Sequence, residues 1–187
     1  MREDLKPKIN KAAQILKQGG VVVLPFDTCY GLSTNIENEE CVQKIFNIKK
    51  RNKAKTISIV CKDILMAKKY VQISTKQEET INNLYTTPHT FILQKKENVT
   101  LHKGLVNKTG GTGVRVIRNN LFTEIFKYLD FALTSTSANI STLPSTYSIN
   151  DLKDQYKQEI KKIDYILDIG ILNKVETSTL IDLRKIV

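Results

Sequence analysis

Apolar residues at the start of the chain recur every three or four positions, which is the spacing of one face of a helix. These residues are Leu5, Ile9, Ala12, Ala13 and Leu16. Gly19 and Gly20 follow them and predict the end of that helix. The continuous apolar run at residues 21–24 then predicts a buried strand.

Similar patterns continue along the rest of the chain. Further helices are predicted around residues 42–46, 81–85 and 121–129. Further short strands are predicted at residues 57–60, 91–93, 114–116, 131–133, 165–169 and 180–183. Polar stretches rich in Gly, Ser or Thr predict loops at residues 98–113 and 134–148. Strands that alternate with helices predict an α/β fold with a mixed sheet, and 187 residues suit a single domain over residues 1–187.

Hydropathy and cysteine usage exclude several classes of protein. No apolar stretch approaches the roughly 20 residues of a membrane span, and residues 1–11 lack the apolar core of a secretion signal. We therefore predict a cytoplasmic protein with no membrane partner. The chain has three cysteines, an odd number, at the widely spaced positions Cys29, Cys41 and Cys61. Neither a disulfide framework nor a zinc site is therefore predicted.

The charge balance favours anionic partners. The chain carries 29 Lys and Arg residues against 19 Asp and Glu residues, a net charge of +10. Nucleotides, nucleic acids and ribosomes all fit such a charge, and so does a well-solvated lysine-rich surface. A protein metal site is not predicted, but Mg²⁺ brought in by a nucleotide needs few protein ligands.

The segment after the first strand, residues 25–32, has the sequence Pro-Phe-Asp-Thr-Cys-Tyr-Gly-Leu. Loops at strand ends commonly hold ligands, and the Thr28 hydroxyl can both donate and accept a hydrogen bond. The alternative is a tight strand-to-helix turn in which Asp27 and Thr28 cap the next helix. We interpret Cys29 as a packing residue.

A basic cluster closes the helix predicted around residues 42–46. Its members are Lys49, Lys50, Arg51, Lys53 and Lys55. One or two cations would complement the helix dipole, whereas five favour a phosphate-binding surface. The chain contains neither a GxxxxGK[ST] loop nor a GxGxxG motif, so any nucleotide must be bound in another way.

Two further segments place polar groups beside predicted strands. Arg115 lies between Val114 and Val116 and therefore points to the opposite face of its strand, where it could bind a carboxylate in bidentate fashion or form an ordinary ion pair. Residues 134–139 read Thr-Ser-Thr-Ser-Ala-Asn and could offer directed hydrogen bonds, or could be a simple polar loop.

The order and separation of these segments resemble the YrdC-like family. The matching segments are residues 20–32, Lys49 with Arg51, residues 88–90 (Pro-His-Thr), 113–116 (Gly-Val-Arg-Val), 137–139 (Ser-Ala-Asn) and 178–182 (Ser-Thr-Leu-Ile-Asp). Together they cover nearly the whole chain.

The resemblance implies a twisted mixed α/β sheet flanked by helices, with a concave basic surface. It implies synthesis of threonylcarbamoyl-AMP from L-threonine, bicarbonate and ATP with its Mg²⁺, for a downstream tRNA threonylcarbamoyl-transferase. Four residues would hold threonine: Thr28, Arg115, Ser135 and Ser178. Six would hold ATP: Lys49, Arg51, Lys55, Ser137, Asn139 and Ser145. Of these, Lys49 and Arg51 would be catalytic.

The chain departs from the family pattern at a few positions. Phe26 stands where Thr or Ser is usual, and Thr142 replaces a Gly after the Ser-Ala-Asn segment. Many members also continue into a Leu-Arg-x-Gly segment, whereas this sequence stops at Val187 and Arg184 lies too close to Asp182 to be its counterpart. We expect the short, single-domain form of the family.

Two alternatives stay open at this point. The first is a non-catalytic module that binds double-stranded RNA, tRNA or the ribosome. The net charge of +10 favours this alternative. No RNP aromatic motif or KH-type GXXG loop supports it. The second is carbamoylation of another acceptor, as in the related domain of hydrogenase maturation proteins.

Overall fold

The computed structural model describes residues 4–52, 54–84 and 87–185. Its α-helices within these ranges are α1 (Leu5–Lys17), α2 (Glu39–Lys49), α3 (Ile64–Tyr70), α4 (Thr75–Leu84), α5 (Asn120–Ile125) and α6 (Ile149–Tyr156). Its strands are β1 (Val22–Pro25), β2 (Tyr30–Ser33), β3 (Ser58–Cys61), β4 (His89–Gln94), β5 (Gly111–Val116), β6 (Leu133–Ser137), β7 (Tyr165–Ile166) and β8 (Thr179–Asp182). Short 3-10 helices lie at Lys103–Leu105, Lys157–Lys162 and Leu183–Lys185.

The strands form one mixed sheet in the order β7-β1-β2-β6-β3-β5-β4-β8. Four neighbouring pairs are antiparallel: β1 with β2, β2 with β6, β6 with β3, and β5 with β4. The other three pairs, β7 with β1, β3 with β5 and β4 with β8, are parallel. The predicted mixed α/β sheet is therefore confirmed.

Helix boundaries follow from local capping. The Asn38 side chain accepts a hydrogen bond from the Cys41 backbone N–H and begins α2, and Ser148 with Asp151 forms a capping box at the start of α6. The helix α1 turns its buried apolar face, which includes Ile9 and Leu16, toward the core. The described residues contain no helix that is both long enough and apolar enough to cross a membrane.

Most elements predicted from apolar patterns are present, with shifted ends. The first helix, the first strand and the strand around Arg115 lie where we predict them. The helix predicted around residues 81–85 is α4, which already begins at Thr75. Tyr85 of that prediction and Lys53 of the basic cluster lie outside the described residues.

Several predictions of loops are wrong. Residues 30–33 form β2, which returns antiparallel to β1, so residues 26–29 are a hairpin turn and not a strand-to-helix turn. Residues 134–137, predicted as a loop, belong to β6 in the middle of the sheet. The polar stretch 98–113 includes a 3-10 turn and the start of β5 at Gly111. The helices α3 and α6 are not predicted, because the apolar pattern of each is short.

The segment between β7 and β8 joins the two opposite edges of the sheet. Near its start the Tyr30 hydroxyl donates to the Gly170 carbonyl at 2.7 Å and accepts from the Ile169 backbone N–H at 3.1 Å. Tyr30 itself is fully buried on β2. One side chain in the sheet thus anchors a segment whose residues 173–177 are exposed.

Replacement of Tyr30 by Phe should lower the free energy of unfolding by about 1 kcal/mol, because two backbone groups of the segment lose their partner. The matched control is Tyr156→Phe. The Tyr156 hydroxyl is buried and has no hydrogen-bond partner among the described residues, so its removal should cost nothing. Urea unfolding of both variants measures the difference, and equal losses would contradict the anchoring role of Tyr30.

Candidate active site

A small cavity lies where the β1–β2 turn, β6, β5 and the end of the β7–β8 segment meet. Its volume is about 180 Å³, below the roughly 300–1,000 Å³ typical of pockets for drug-sized ligands. Its lining is rich in hydroxyl groups: Thr28, Ser58, Thr90, Ser135, Thr136, Ser137, Ser145, Thr177 and Ser178. Such a cavity suits a small polar ligand with several hydrogen-bonding groups.

Arg115 supplies the cationic group on the wall of this cavity. It lies on β5 in register with Val60 of β3, and its side chain is only 7% exposed. Its Nη2 donates to the Asp27 carboxylate at 2.5 Å, whereas its buried Nε has no partner among the described residues. Arg115 therefore forms an ion pair and still carries unpaired donors.

The β1–β2 turn contacts that guanidinium twice. Besides the Asp27 ion pair, the Phe26 ring lies 5.8 Å from the Arg115 Cζ and packs against the Phe122 ring at 4.8 Å between centroids. Gly31 makes room for this ring, since a Cβ there would lie 2.6 Å from two Phe26 atoms. Phe26, which departs from the family pattern, thus replaces a hydroxyl group with an apolar wall.

Hydroxyl groups from distant parts of the chain meet on the opposite side of the cavity. The hydroxyls of Thr90 on β4 and Ser178 at the start of β8 are 2.8 Å apart and share a hydrogen bond. A second hydrogen bond joins the same two segments, from the Thr179 backbone N–H to the Pro88 carbonyl at 3.0 Å. The resemblance pointed to the segment of Thr90 but assigned no ligand to this residue.

Cys29 also lines the cavity and is buried. Burial raises the pKa of its thiol, and this outweighs the opposing effects of hydrogen bonds from Thr28 and Ser145 and of the Arg115 and Lys49 charges. A protonated, buried thiol is a poor nucleophile. The interpretation of Cys29 as a packing residue agrees with this environment.

Lys49 is buried entirely, although the sequence placed it in a basic surface cluster. Its Nζ donates to the Ser137 carbonyl, to the Asn139 carbonyl at 2.7 Å and to Asn139 Oδ1 at 3.1 Å. Asn139 Oδ1 also accepts from the Ser137 hydroxyl at 2.5 Å. The ammonium group thus joins the end of α2 to the end of β6.

The pKa of Lys49 is lowered to about 7, mainly by burial and also by the nearby Arg51 charge, whereas Cys29 opposes the shift. Burial also lowers the pKa of Arg51. Arg51 donates from Nε to the Lys55 carbonyl at 3.0 Å and from Nη2 to the Thr56 carbonyl at 2.7 Å. Both cations therefore bind backbone carbonyls of neighbouring segments.

The loop after Asn139 contains a strained residue. Thr142 has a φ of 80°, in the left-handed region that favours glycine. It is the position at which this sequence lacks the Gly of the family pattern. The loop is held by the Ser141 backbone N–H, which donates to the Lys49 carbonyl at 2.9 Å, and by Asn139, which donates to the Leu143 carbonyl.

The structure brings together six of the ten predicted site residues on the cavity wall: Thr28, Arg115, Ser135, Ser137, Ser145 and Ser178. The other four are not part of this lining: Lys49, Arg51, Lys55 and Asn139. Sequence reasoning gave no site role to Asp27, Ser58, Thr90 or Thr177. Asp27 and Thr90 carried a signal, since each lies in a matching segment. In the described ranges, no group of three or more His, Cys, Asp and Glu side chains could hold a metal ion.

The fold and this cavity define an α/β protein with a small, hydroxyl-lined site around one buried arginine. Residues 14–187 match the model of the Sua5_yciO_yrdC family, which carries the description Telomere recombination. The chain therefore belongs to this family, and the resemblance drawn from its sequence is confirmed.

Similar proteins add names to this assignment. A Methanocaldococcus jannaschii protein, named provisionally as a threonylcarbamoyl-AMP synthase, is 31% identical over 182 residues, covering 97% of this chain and 83% of that protein. The threonylcarbamoyl-AMP synthase of Actinobacillus succinogenes is 28% identical over 156 residues, covering 82% of this chain and 84% of that protein.

A solved structure agrees with the fold. The crystal structure of P. abyssi Sua5 complexed with L-threonine has a TM-score of 0.84 to this chain at 27% identity. The match covers 97% of this chain and 52% of that one, so this chain spans about half the length of that Sua5.

The lowered pKa of Lys49 predicts a pH dependence of stability. Its pKa rises from about 7 in the fold to the ordinary 10.5 on unfolding, so between these values the unfolded chain binds more protons. Stability due to Lys49 therefore rises with pH across this window, by at most ~1.4 kcal/mol per pH unit.

The measurement is urea unfolding of the wild type and of Lys49→Met at pH 7, 8 and 9. We expect the difference in unfolding free energy, wild type minus variant, to increase with pH. Lys50→Met, at an exposed neighbour, controls for the loss of one positive charge. A difference that stays constant over this range would mean that Lys49 titrates normally in the fold.

Proposed function

We propose that this chain is an L-threonylcarbamoyladenylate synthase. It would form threonylcarbamoyl-AMP and pyrophosphate from L-threonine, bicarbonate and ATP. The observation that carries the proposal is Arg115, a buried cation with unpaired donors on the wall of a small hydroxyl-lined cavity. The names of the relatives and the threonine complex of Sua5 support the same reading.

The cavity fits an amino acid by size and by chemistry. A volume of about 180 Å³ admits a ligand of the size of threonine and excludes a whole nucleotide. Arg115 would take the carboxylate, since guanidinium groups match carboxylate geometry. The hydroxyls of Thr28, Ser135 and Ser178 would bind the amine and the side-chain hydroxyl of threonine.

ATP would lie at the open side of the cavity. Ser137 and Ser145 of the cavity wall would contact it, and Asn139 accepts a hydrogen bond from the Ser137 hydroxyl. Lys49, Arg51 and Lys55 would supply positive potential to this end of the site. The Mg²⁺ that accompanies ATP would come with the nucleotide.

The chemistry needs charge and position more than a nucleophilic side chain. The threonine amine attacks the bicarbonate carbon, and loss of water leaves a carbamate. A carbamate oxygen then attacks the α-phosphorus of ATP, and the bond to the leaving pyrophosphate breaks. Because both reactants are anions, the buried Arg115 and the protonated form of Lys49 would lower their repulsion. Binding in one site supplies proximity.

We propose that the product passes to a tRNA threonylcarbamoyl-transferase and that the reaction takes place in the cytoplasm. We propose that residues 1–187 act as one domain in it. The second candidate, a module that binds double-stranded RNA, tRNA or the ribosome, draws on the net charge of +10. It predicts salt-sensitive RNA binding without ATP consumption.

The test of the activity is pyrophosphate release from ATP and Mg²⁺, with threonine and bicarbonate each present or omitted. We expect release only when both are present, because the carbamate is the nucleophile. Release without either compound would indicate simple ATP hydrolysis. No release by folded protein would contradict the synthase assignment and would favour the RNA-binding alternative.

Replacement of Arg115 by Ala should weaken L-threonine binding by about 10- to 100-fold, the loss that one or two charge-assisted hydrogen bonds give. ATP binding should change little, since Arg115 is not among the residues proposed to bind ATP. Isothermal titration with each ligand measures both effects. Arg118→Ala, outside this cavity's lining, serves as the matched control. A comparable loss of both ligands in folded Arg115→Ala would contradict the assignment.

A further inference from the structure

Asp27 has no place in the chemistry described so far, yet it is the group that holds Arg115. Within the described residues, Asp27 accepts the hydrogen bond that the Arg115 side chain makes with protein, at 2.5 Å from Nη2. The Arg115 side chain is 7% exposed and that of Asp27 is 30% exposed. A guanidinium this deeply buried needs a compensating charge, because desolvation of an unpaired charge is costly.

The position of Asp27 separates it from the ligand. Arg115 borders two cavities: the hydroxyl-lined one, and a neighbour of about 320 Å³ lined also by His89 and Asn119. Asp27 lines the neighbouring cavity and not the hydroxyl-lined one. Its carboxylate therefore holds Arg115 without occupying the space proposed for threonine.

The β1–β2 turn pairs with only part of the Arg115 guanidinium. Asp27 takes Nη2, and the Phe26 ring packs 5.8 Å from Cζ. Nε is buried and unpartnered within the described ranges. A buried donor without a partner costs free energy, and Asp27 Oδ1 is the one acceptor that the guanidinium has within the described residues. The guanidinium is thus oriented by one carboxylate and left able to bind another.

We propose that Asp27 is a positioning residue for substrate recognition. It fixes the Arg115 guanidinium from the neighbouring cavity so that the remaining N–H groups meet the carboxylate of the amino-acid substrate. The identity of that substrate as L-threonine rests on the proposed function. The positioning itself rests on the geometry of Asp27, Phe26 and Arg115.

Loss of Asp27 should affect one ligand and not the other. An arginine side chain without its partner regains rotamer freedom, and binding must then restrict it again. Threonine affinity should fall because its carboxylate meets Arg115. ATP affinity should stay unchanged because, among the described residues, the Asp27 carboxylate pairs with Arg115 and not with a residue proposed for ATP.

The experiment compares Asp27→Ala, Asp27→Asn and wild type by isothermal titration with L-threonine and, separately, with ATP. We expect L-threonine to bind about 10-fold more weakly to Asp27→Ala. Asp27→Asn keeps an acceptor oxygen, so its loss should be smaller, about 3-fold. ATP affinity should change less than about 2-fold in both variants.

The matched control is Asp182→Ala, which breaks another arginine–carboxylate pair, with Arg184 at 2.7 Å, away from the cavity lining. It should leave threonine affinity unchanged. Tighter threonine binding to either Asp27 variant would mean that Asp27 competes with the substrate. Unchanged threonine affinity, or an equal loss of threonine affinity and ATP affinity, would also overturn the proposal.

A measurement without ligand separates this proposal from the proposed function. In protein with ¹⁵N-labelled arginine, NMR signals of the Arg115 guanidinium, assigned with Arg115→Lys, report how fast it rotates. We expect restricted rotation in wild type and faster rotation in Asp27→Asn. If wild type binds no threonine, the proposed function fails, and the rotation rates still decide whether Asp27 positions Arg115. Equal rates in both proteins would show that it does not.

Discussion

The pairing of β6 in the middle of the sheet is the constraint on which the rest of the structure depends. This strand joins β2 on one side and β3 on the other, so it links the two halves of the sheet. Its hydroxyl residues fit this buried place only because their groups are paired: Thr134 Oγ1 accepts from the Thr34 backbone N–H at 3.1 Å, and the Ser33 hydroxyl donates to the Thr134 carbonyl. The same strand can therefore be central to the sheet and polar at its cavity end.

Two buried cations stabilise the surroundings of that end in different ways. Lys49 binds the carbonyls where β6 finishes, and Arg115 approaches the cavity from β5 with Asp27 as its counter-ion. An unpaired charge on either side chain would cost free energy in a core without water. The fold therefore places oxygen atoms next to both side chains. The cavity thus acquires positive potential without an exposed cluster of charges. That arrangement suits a reaction between anions, where water would weaken the attraction.

The parts of the fold and of the site that could be predicted are those with a pattern in neighbouring residues of the sequence. The apolar runs of β1 and β3 and the repeat of α1 identify those elements, because burial of a whole strand or helix face shows in the sequence. The strand β6 escaped prediction because its polarity is explained only by partners 100 residues away in the chain. Lys49 escaped similarly: its charge predicts a surface position, and only the fold shows that it is buried and bound to the end of β6. The Asp27–Arg115 pair joins residues 88 positions apart and has no local pattern at all.

The recognition of an amino acid that we propose would therefore be distributed over elements that meet only in the fold. The first hairpin turn supplies Asp27 and Phe26, β5 supplies Arg115, and the segment that joins the two edges of the sheet supplies Ser178. Each of these elements is tied down by backbone contacts of its own, such as those of Tyr30 and Thr179. Because the donors are held before any ligand arrives, binding needs little further ordering of the protein. A small cavity built in this way would gain its selectivity from fixed geometry, and the larger nucleotide of the proposed reaction would lie outside it.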